Sequence, residues 1–357
     1  MSMSIESSLE DLGYSEFFES ARKNLGFFDY EVARVIAEHR GAYSVRNAQG
    51  DYFATITGKH KYTALSRDDY PAVGDWVAIS KLEQNKAIIR GILPRKTTLK
   101  KKYSNKQENQ LIAANIDIAF ITESMDRDYN LNRFERFLVL ARDGGITPTI
   151  ILNKVDLISD EQLNLRVTQI RNRFVSVDVI STSTVTKQGI YNLASYIERG
   201  KTYCFLGSSG VGKSSLINVL LGQDDIRTRE ISASLGRGKH TTTAREIYVL
   251  KNGGLLIDTP GTREVGIPSS ETGLETVFDE IRLLASNCKF SDCTHTGEPG
   301  CAVLQAVRGK SLDKQRYTNY QKLKKESDFY ELTELEKRRK DRKFGQFVKK
   351  ALQGFKK

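Results

Sequence analysis

The run from Cys204 to Ser215 (CFLGSSGVGKSS) constrains this chain more than any other stretch. Gly207, Gly212, Lys213 and Ser214 fit the phosphate-loop pattern G-x-x-x-x-G-K-[ST], in which glycines let the backbone turn its N–H groups onto phosphate oxygens. Phosphate contacts are therefore expected along Gly207, Ser208, Ser209, Gly210, Val211, Gly212, Lys213, Ser214 and Ser215. Lys213 is placed to reach the β- and γ-phosphates, and the Ser214 hydroxyl to bind Mg²⁺. The flanks agree. Lys201 to Leu206 reads as a short buried strand, and Ser215 to Leu221 as a helix whose N-terminus favours anions.

The whole chain, at 357 residues, is long enough for two or three cores. Its formal charge of +11 favours polyanionic partners such as nucleic acid. No stretch approaches the roughly 20 apolar residues of a membrane helix, and the polar, acidic start (MSMSIESSLED) is not a signal peptide, so a cytoplasmic protein without a membrane partner is expected. Leu9, Leu12, Phe17 and Phe18 suit a short amphipathic packing helix in an N-terminal extension, 1–30. From 31 to 103, five short alternating segments separated by turn residues suit a small barrel, best an oligonucleotide-binding (OB) one. They are Val32–Ile36, Ala42–Val45, Tyr52–Ile56, Asp75–Ile79 and Lys86–Arg90. A basic run follows (Arg95, Lys96, Lys100, Lys101, Lys102), a solvated linker or a track for a phosphate backbone.

Beyond Leu111 the pattern alternates strand and helix, as in an α/β sheet. The strand at Thr149–Leu152 runs into Asn153-Lys154-Val155-Asp156. The Asp156 carboxylate can accept from guanine N1–H and the exocyclic amine, a donor pair that adenine lacks. Asn153 can engage the guanine edge, and the Lys154 stem can lie along the base. Ser183 and Thr184 resemble the element that backs the base, though an ordinary strand end fits them as well. A strand ending at Ile257 leads into Asp258-Thr259-Pro260-Gly261. That D-x-x-G places Asp258 near the metal through water and lets the Gly261 N–H meet the γ-phosphate. The loop Gly236–Thr243 carries a threonine to complete the Mg²⁺ shell, Thr242 first, with Thr241 and Thr243 as alternatives. These are the parts of a GTP-binding domain in permuted order, since the base-reading tetrad precedes the phosphate loop.

A second centre is legible near the C-terminus. Cys288, Cys293, His295 and Cys301 give C-x4-C-x-H-x5-C, three thiolates and one imidazole that close a tetrahedral structural zinc site. The remaining cysteine, Cys204, reads as buried packing.

Together with Val73-Gly74-Asp75-Trp76-Val77, these motifs make the chain resemble, from about 31 to 320, the circularly permuted GTPases of the RsgA (YjeQ) type, ribosome small-subunit-dependent. The resemblance implies a multi-domain α/β protein: an OB-fold barrel (31–103), a circularly permuted P-loop GTPase domain (104–284) and a C-terminal zinc-binding helical domain with a basic tail (285–357). It also implies a GTP hydrolase stimulated by the small ribosomal subunit during late maturation. The expected partners are that subunit, its rRNA and GTP/GDP, and the expected state is a monomer. The position after D-x-x-G, where Ras-like proteins place a water-orienting glutamine, is Thr262. His240 is the substitute catalytic residue that the family suggests, beside Lys213. The other role for His240 is to contact rRNA or hold its loop. The alternative function is a non-catalytic RNA-binding assembly factor that uses GTP as a clamp. The tail (Lys337-Arg338-Arg339-Lys340 and on to Lys357) reads either as a solvated helix or as phosphate contacts.

Overall fold

The computed structural model describes residues 8–102, 109–126, 129–222, 245–258 and 271–331. His240, Thr242 and Gly261, the threonines beside Thr242 and the basic tail from Lys337 lie outside the described residues.

Helix α1 (Glu16–Asn24) leads to strands β1 (Glu31–Glu38), β2 (Tyr43–Asn47) and β3 (Gly50–Ile56). A short helix α2 (Gly58–Thr63) then precedes β4 (Trp76–Lys81) and β5 (Lys86–Ile92). β1 pairs antiparallel with both β2 and β4, β2 with β3, and β4 with β5, while β3 and β5 are parallel. The ring 1-2-3-5-4-1 is thereby closed, and no barrel edge is left open. Period-two alternation sends Val35, Val45, Ala54, Val77 and Ile89 into its core. The N-terminal segment completes this unit: Leu12 and Phe18 are buried with Val32, Trp76 and Leu93.

The basic run after the barrel is not a free linker. β6 (Thr98–Lys102) pairs antiparallel with β7 (Asn109–Ala114). Arg95 donates to both Asp75 oxygens at 2.8 and 2.7 Å, and Lys100 Nζ lies 2.5 Å from Asp68. Lys96 sits over the Phe17 and Phe18 rings, at 5.2 and 4.8 Å. These cations are matched inside the protein.

The α/β part comprises β8 (Ile118–Ser124), α3 (Leu131–Asp143), β9 (Thr147–Asn153), α4 (Asp160–Arg173), β10 (Asp178–Thr182) and α5 (Ile190–Tyr196), then β11 (Thr202–Leu206), α6 (Lys213–Leu221), β12 (Glu246–Val249) and β13 (Leu255–Asp258). Its strands lie in the order β10-β9-β8-β11-β13-β12, parallel except for β12. β8, β9 and β11 are nearly continuous apolar runs because helices cover both faces. Cys204 and Leu206 point to one face, with α3; Tyr203 and Phe205 point to the other, with Leu216 of α6. Among the described residues, the one strand pair Ala37↔Glu246 joins this sheet to the barrel.

Four helices follow: α7 (Glu271–Val277), α8 (Asp279–Ala285), α9 (Ala302–Arg308) and α10 (Lys314–Glu331). α10 is tied to α3 through charge. Glu135, fully buried on α3, accepts from Arg173 of α4 at 2.8 Å and from Arg316 of α10 at 2.8 Å, and also from Asn319. Arg316 reaches on to Glu280 and to the Val277 carbonyl at 2.7 Å, while Arg136 and Glu326 form a bidentate pair at 2.8 and 2.6 Å. No described helix is long and apolar enough to cross a membrane.

Candidate nucleotide site and metal centre

The phosphate loop leaves the C-terminal end of β11 and enters α6. Gly207 and Gly212 adopt φ of +148° and +96°, and both are crowded by the base-reading side of the sheet. A Cβ on Gly207 would stand 2.2 Å from the Thr122 carbonyl, and one on Gly212 would stand 2.2 Å from Asn153 Nδ2. Either contact would displace backbone or its clasp, so these positions need glycine for space as well as for φ. Lys213 opens α6 and donates to the Gly207 and Ser208 carbonyls at 2.9 and 2.6 Å, so its ammonium lies across the loop.

The segments 153–156 and 207–214, far apart in the chain, meet through one side chain. Asn153 is 1 % exposed at the end of β9; its amide donates to the Val211 carbonyl at 2.8 Å and accepts from Thr182 at 3.1 Å. Lys154 takes a left-handed conformation (φ 61°), which turns the chain into a short 3-10 helix carrying Asp156. Its ammonium pairs with Asp126 at 3.2 Å. The Ser183 hydroxyl donates to Asp156 at 2.5 Å and accepts from the N–H groups of Val185 and Thr186. One Asp156 oxygen is thus held in place from behind, which orients the carboxylate. Ser183 is fully buried, and Thr184 follows it in the turn. Asp258 ends β13, the strand beside β11, on the same edge of the sheet as Ser214. The hydroxyl and carboxylate on this edge are the hard oxygen donors that Mg²⁺ takes together with phosphate.

Glu123 was not legible as part of this site, because the apolar stretch of the sequence stops at Ile121. β8 instead continues to Ser124 and carries Glu123 in full burial beside the phosphate loop. Its only cationic contact within 4 Å among the described residues is Arg133 at 3.8 Å. Neither oxygen has a hydrogen-bond partner among those residues. Burial pushes its carboxyl up to about 7, against the pull of Arg133 and Lys213. An acidic residue closing an otherwise apolar strand was the signal available in the sequence.

At the second centre, one ligand atom from each of Cys288, Cys293, His295 and Cys301 lies within 4.8 Å of all the others. Cys288 Sγ is 3.9 Å from Cys301 Sγ, and His295 Nδ1 is 3.6 and 3.5 Å from those two sulfurs. A tetrahedral zinc shell with ordinary bond lengths has edges of about 3.8 Å between sulfurs and about 3.5 Å between sulfur and nitrogen. The residues fit zinc. His295 is held at φ 59° and its carbonyl accepts from the Tyr317 hydroxyl at 2.6 Å, while the Leu304 N–H of α9 points at Cys301 Sγ. Cys204 lies elsewhere, wholly buried in β11, and burial pushes its thiol up to about 12; it is packing, not a ligand.

A family model described as RsgA GTPase matches residues 92–268. The small ribosomal subunit biogenesis GTPase RsgA 2 of Lactiplantibacillus plantarum is 43% identical over 316 residues, covering 88% of this chain and 89% of that protein. The RsgA 1 protein of Bacteroides thetaiotaomicron is 39% identical over 94% of each chain. Among solved structures, YjeQ from Thermotoga maritima superposes with a TM-score of 0.61 at 28% identity, covering 83% of this chain and 98% of that one.

Proposed function

The chain belongs to the RsgA family of GTPases, and on that premise we propose that it binds the small ribosomal subunit, assists its late maturation and hydrolyses GTP faster when bound there. The observation that supports the guanine reading is the clasp from Asn153 to the Val211 carbonyl, which ties the segment carrying Asp156 to the phosphate loop across the cleft proposed to hold the nucleotide. In that cleft Lys213 leaves the Gly207 and Ser208 carbonyls for the β- and γ-phosphates, and the loop N–H groups hold their oxygens. Ser214 and Thr242, with Asp258 nearby, would hold Mg²⁺, which would supply neutralising charge to the phosphates. His240 orients the attacking water, because the usual glutamine position is Thr262. Gly261 donates its N–H to the γ-phosphate. Cys288, Cys293, His295 and Cys301 would hold one structural zinc ion. Domain limits near residues 30, 103 and 284 belong to this reading, as do a monomeric state and a cytoplasmic location.

RNA contact is supported by the barrel surface. The β3–β4 connection exposes Tyr62 at 92% and Leu65 at 96%, among Lys59, Lys61 and Arg67. An exposed ring between cations suits base stacking beside a phosphate backbone. The test is turnover of GTP and ATP by purified protein, alone and with small or large ribosomal subunits. Stimulation by small subunits alone, with ATP inert, is expected. The His240→Ala variant should keep GTP binding and lose most of the stimulated turnover; unchanged turnover removes His240 from the mechanism. No stimulation by either subunit would overturn the proposed partner.

A further inference from the structure

Glu123 is a buried acid set against a site built to receive polyphosphate. In the β8–β11 ladder Ile121 stands opposite Leu206, so Glu123, two residues on, lies level with the first turn of the phosphate loop. Among the described residues, the charged and polar groups facing it come from α3, the phosphate loop and the turn after β8. They are Arg133 from α3, Lys213 and Ser208 from the loop, and Asp126 from the turn after β8, itself paired with Lys154. A carboxylate so enclosed, with no hydrogen bond of good geometry among the described residues and only the Ser208 side chain near enough to relieve it, is costly to keep ionised. The nearby cations offset part of that cost. Lys213 is one of them only while its ammonium lies across the loop on the Gly207 and Ser208 carbonyls.

We infer that Glu123 is a positioning residue for the phosphate loop, a counter-charge to Lys213 that must take up a proton when guanine nucleotide binds. This rests on the nucleotide site proposed above. When Lys213 turns to the β- and γ-phosphates, Glu123 loses a compensating cation and gains anionic neighbours, whose charge Mg²⁺ would neutralise only in part. Both changes favour its neutral form, so one proton from solvent adds to the carboxylate to give the carboxylic acid. In the free protein burial has already pushed this carboxyl to about 7, and bound nucleotide pushes it higher. The sign follows by linkage. Glu123 opposes binding little below the free-state value, and affinity falls as pH rises through about 7 towards the bound-state value.

The experiment is calorimetric titration of GDP and a non-hydrolysable GTP analogue into the full chain, for wild type and Glu123→Gln. It is run between about pH 6 and pH 8.5 in buffers of differing ionisation enthalpy, which reports proton uptake directly. The terminal phosphate of the nucleotide titrates alike for both proteins and cancels in their ratio. The variant is expected to bind about tenfold tighter than wild type at high pH and equally at low pH, as removal of one charge near phosphate implies. Wild type is expected to take up a proton that the variant does not. Equal proton uptake and parallel pH profiles would overturn the inference while leaving the nucleotide site intact. If Glu123→Gln does not fold, the wild-type protein decides alone: proton uptake beyond that of the nucleotide itself supports the role, and none refutes it. Failure of wild type to bind either nucleotide would overturn the site reading and this inference with it.

Discussion

The cysteine–histidine knuckle and the nucleotide cleft are two polar sites built in opposite ways. The knuckle draws all four ligands from 288–301, one short stretch, and its geometry is that of the ion it fits. The cleft draws on 153–156, 182–183, 207–214 and 258, and nothing local brings these together. Strand order does so. β9, β8, β11 and β13 are adjacent and parallel, so loops at their C-terminal ends converge on one edge. That edge is where open α/β sheets bind ligands. Metal chemistry organises the first site, whereas the apolar core organises the second before any ligand arrives. Permuting the chain order therefore leaves the cleft unchanged, because adjacency in the sheet and not in sequence defines it.

This contrast can be broken first at the knuckle. Cys301→Ser should reduce bound zinc to near zero and abolish hydrogen-exchange protection across 288–308, since a structural zinc shell contributes on the order of 10 kcal/mol to its fold. GDP affinity should change by less than about threefold, as expected for a site with no shared ligand. A collapse of GDP binding would mean that the two sites are not independently organised. Zinc content by mass spectrometry and GDP titration on the same sample decide it.

A smaller effect is expected at the tie between α3 and α10. Glu135→Ala removes the buried carboxylate that Arg173 and Arg316 share, leaving Arg316 to Glu280 and Arg173 to Asn132, and should lower stability by about 3 kcal/mol. Chemical denaturation measures it, and a loss under about 1 kcal/mol would place this network among weak surface pairs. Asn153→Ala should cost less in stability, about 1–3 kcal/mol, by leaving the Val211 carbonyl without its buried donor. It should cost nucleotide affinity as well, because the clasp also shapes the loop. Loss of stability with unchanged GDP affinity would show that the clasp holds the fold and not the site.

The same contrast explains what the sequence disclosed. The ligand spacing, the phosphate loop and the Asn153–Asp156 tetrad were legible because each packs its chemistry into consecutive residues. The five barrel strands were legible through alternation and turn residues. Arg34 was not. It is 1% exposed in β1, and donates to the carbonyls of Leu12, Gly74 and Asn115, the last 81 positions away. Burial lowers its guanidinium to about 10. Nothing in β1 marks that residue as an internal post. The basic run before β7 misled for the same reason. Asp75 and Asp68, which match Arg95 and Lys100, stand 20 and 32 positions upstream. Glu123 combined both difficulties, a strand longer than its apolar stretch and partners on other elements.

The claim that most needs testing is that the distant tetrad reads guanine. Asp156→Asn converts an acceptor into a donor at the base edge. Xanthine carries a carbonyl where guanine carries the exocyclic amine, so the altered side chain should suit xanthine instead. Affinities of wild type and Asp156→Asn for GDP and xanthosine diphosphate measure this directly. Wild type is expected to prefer GDP and the variant to reverse the preference, with GDP weakened at least about tenfold by loss of a charge-assisted hydrogen-bond pair. A variant that still prefers GDP would contradict that claim and move the base elsewhere in the molecule.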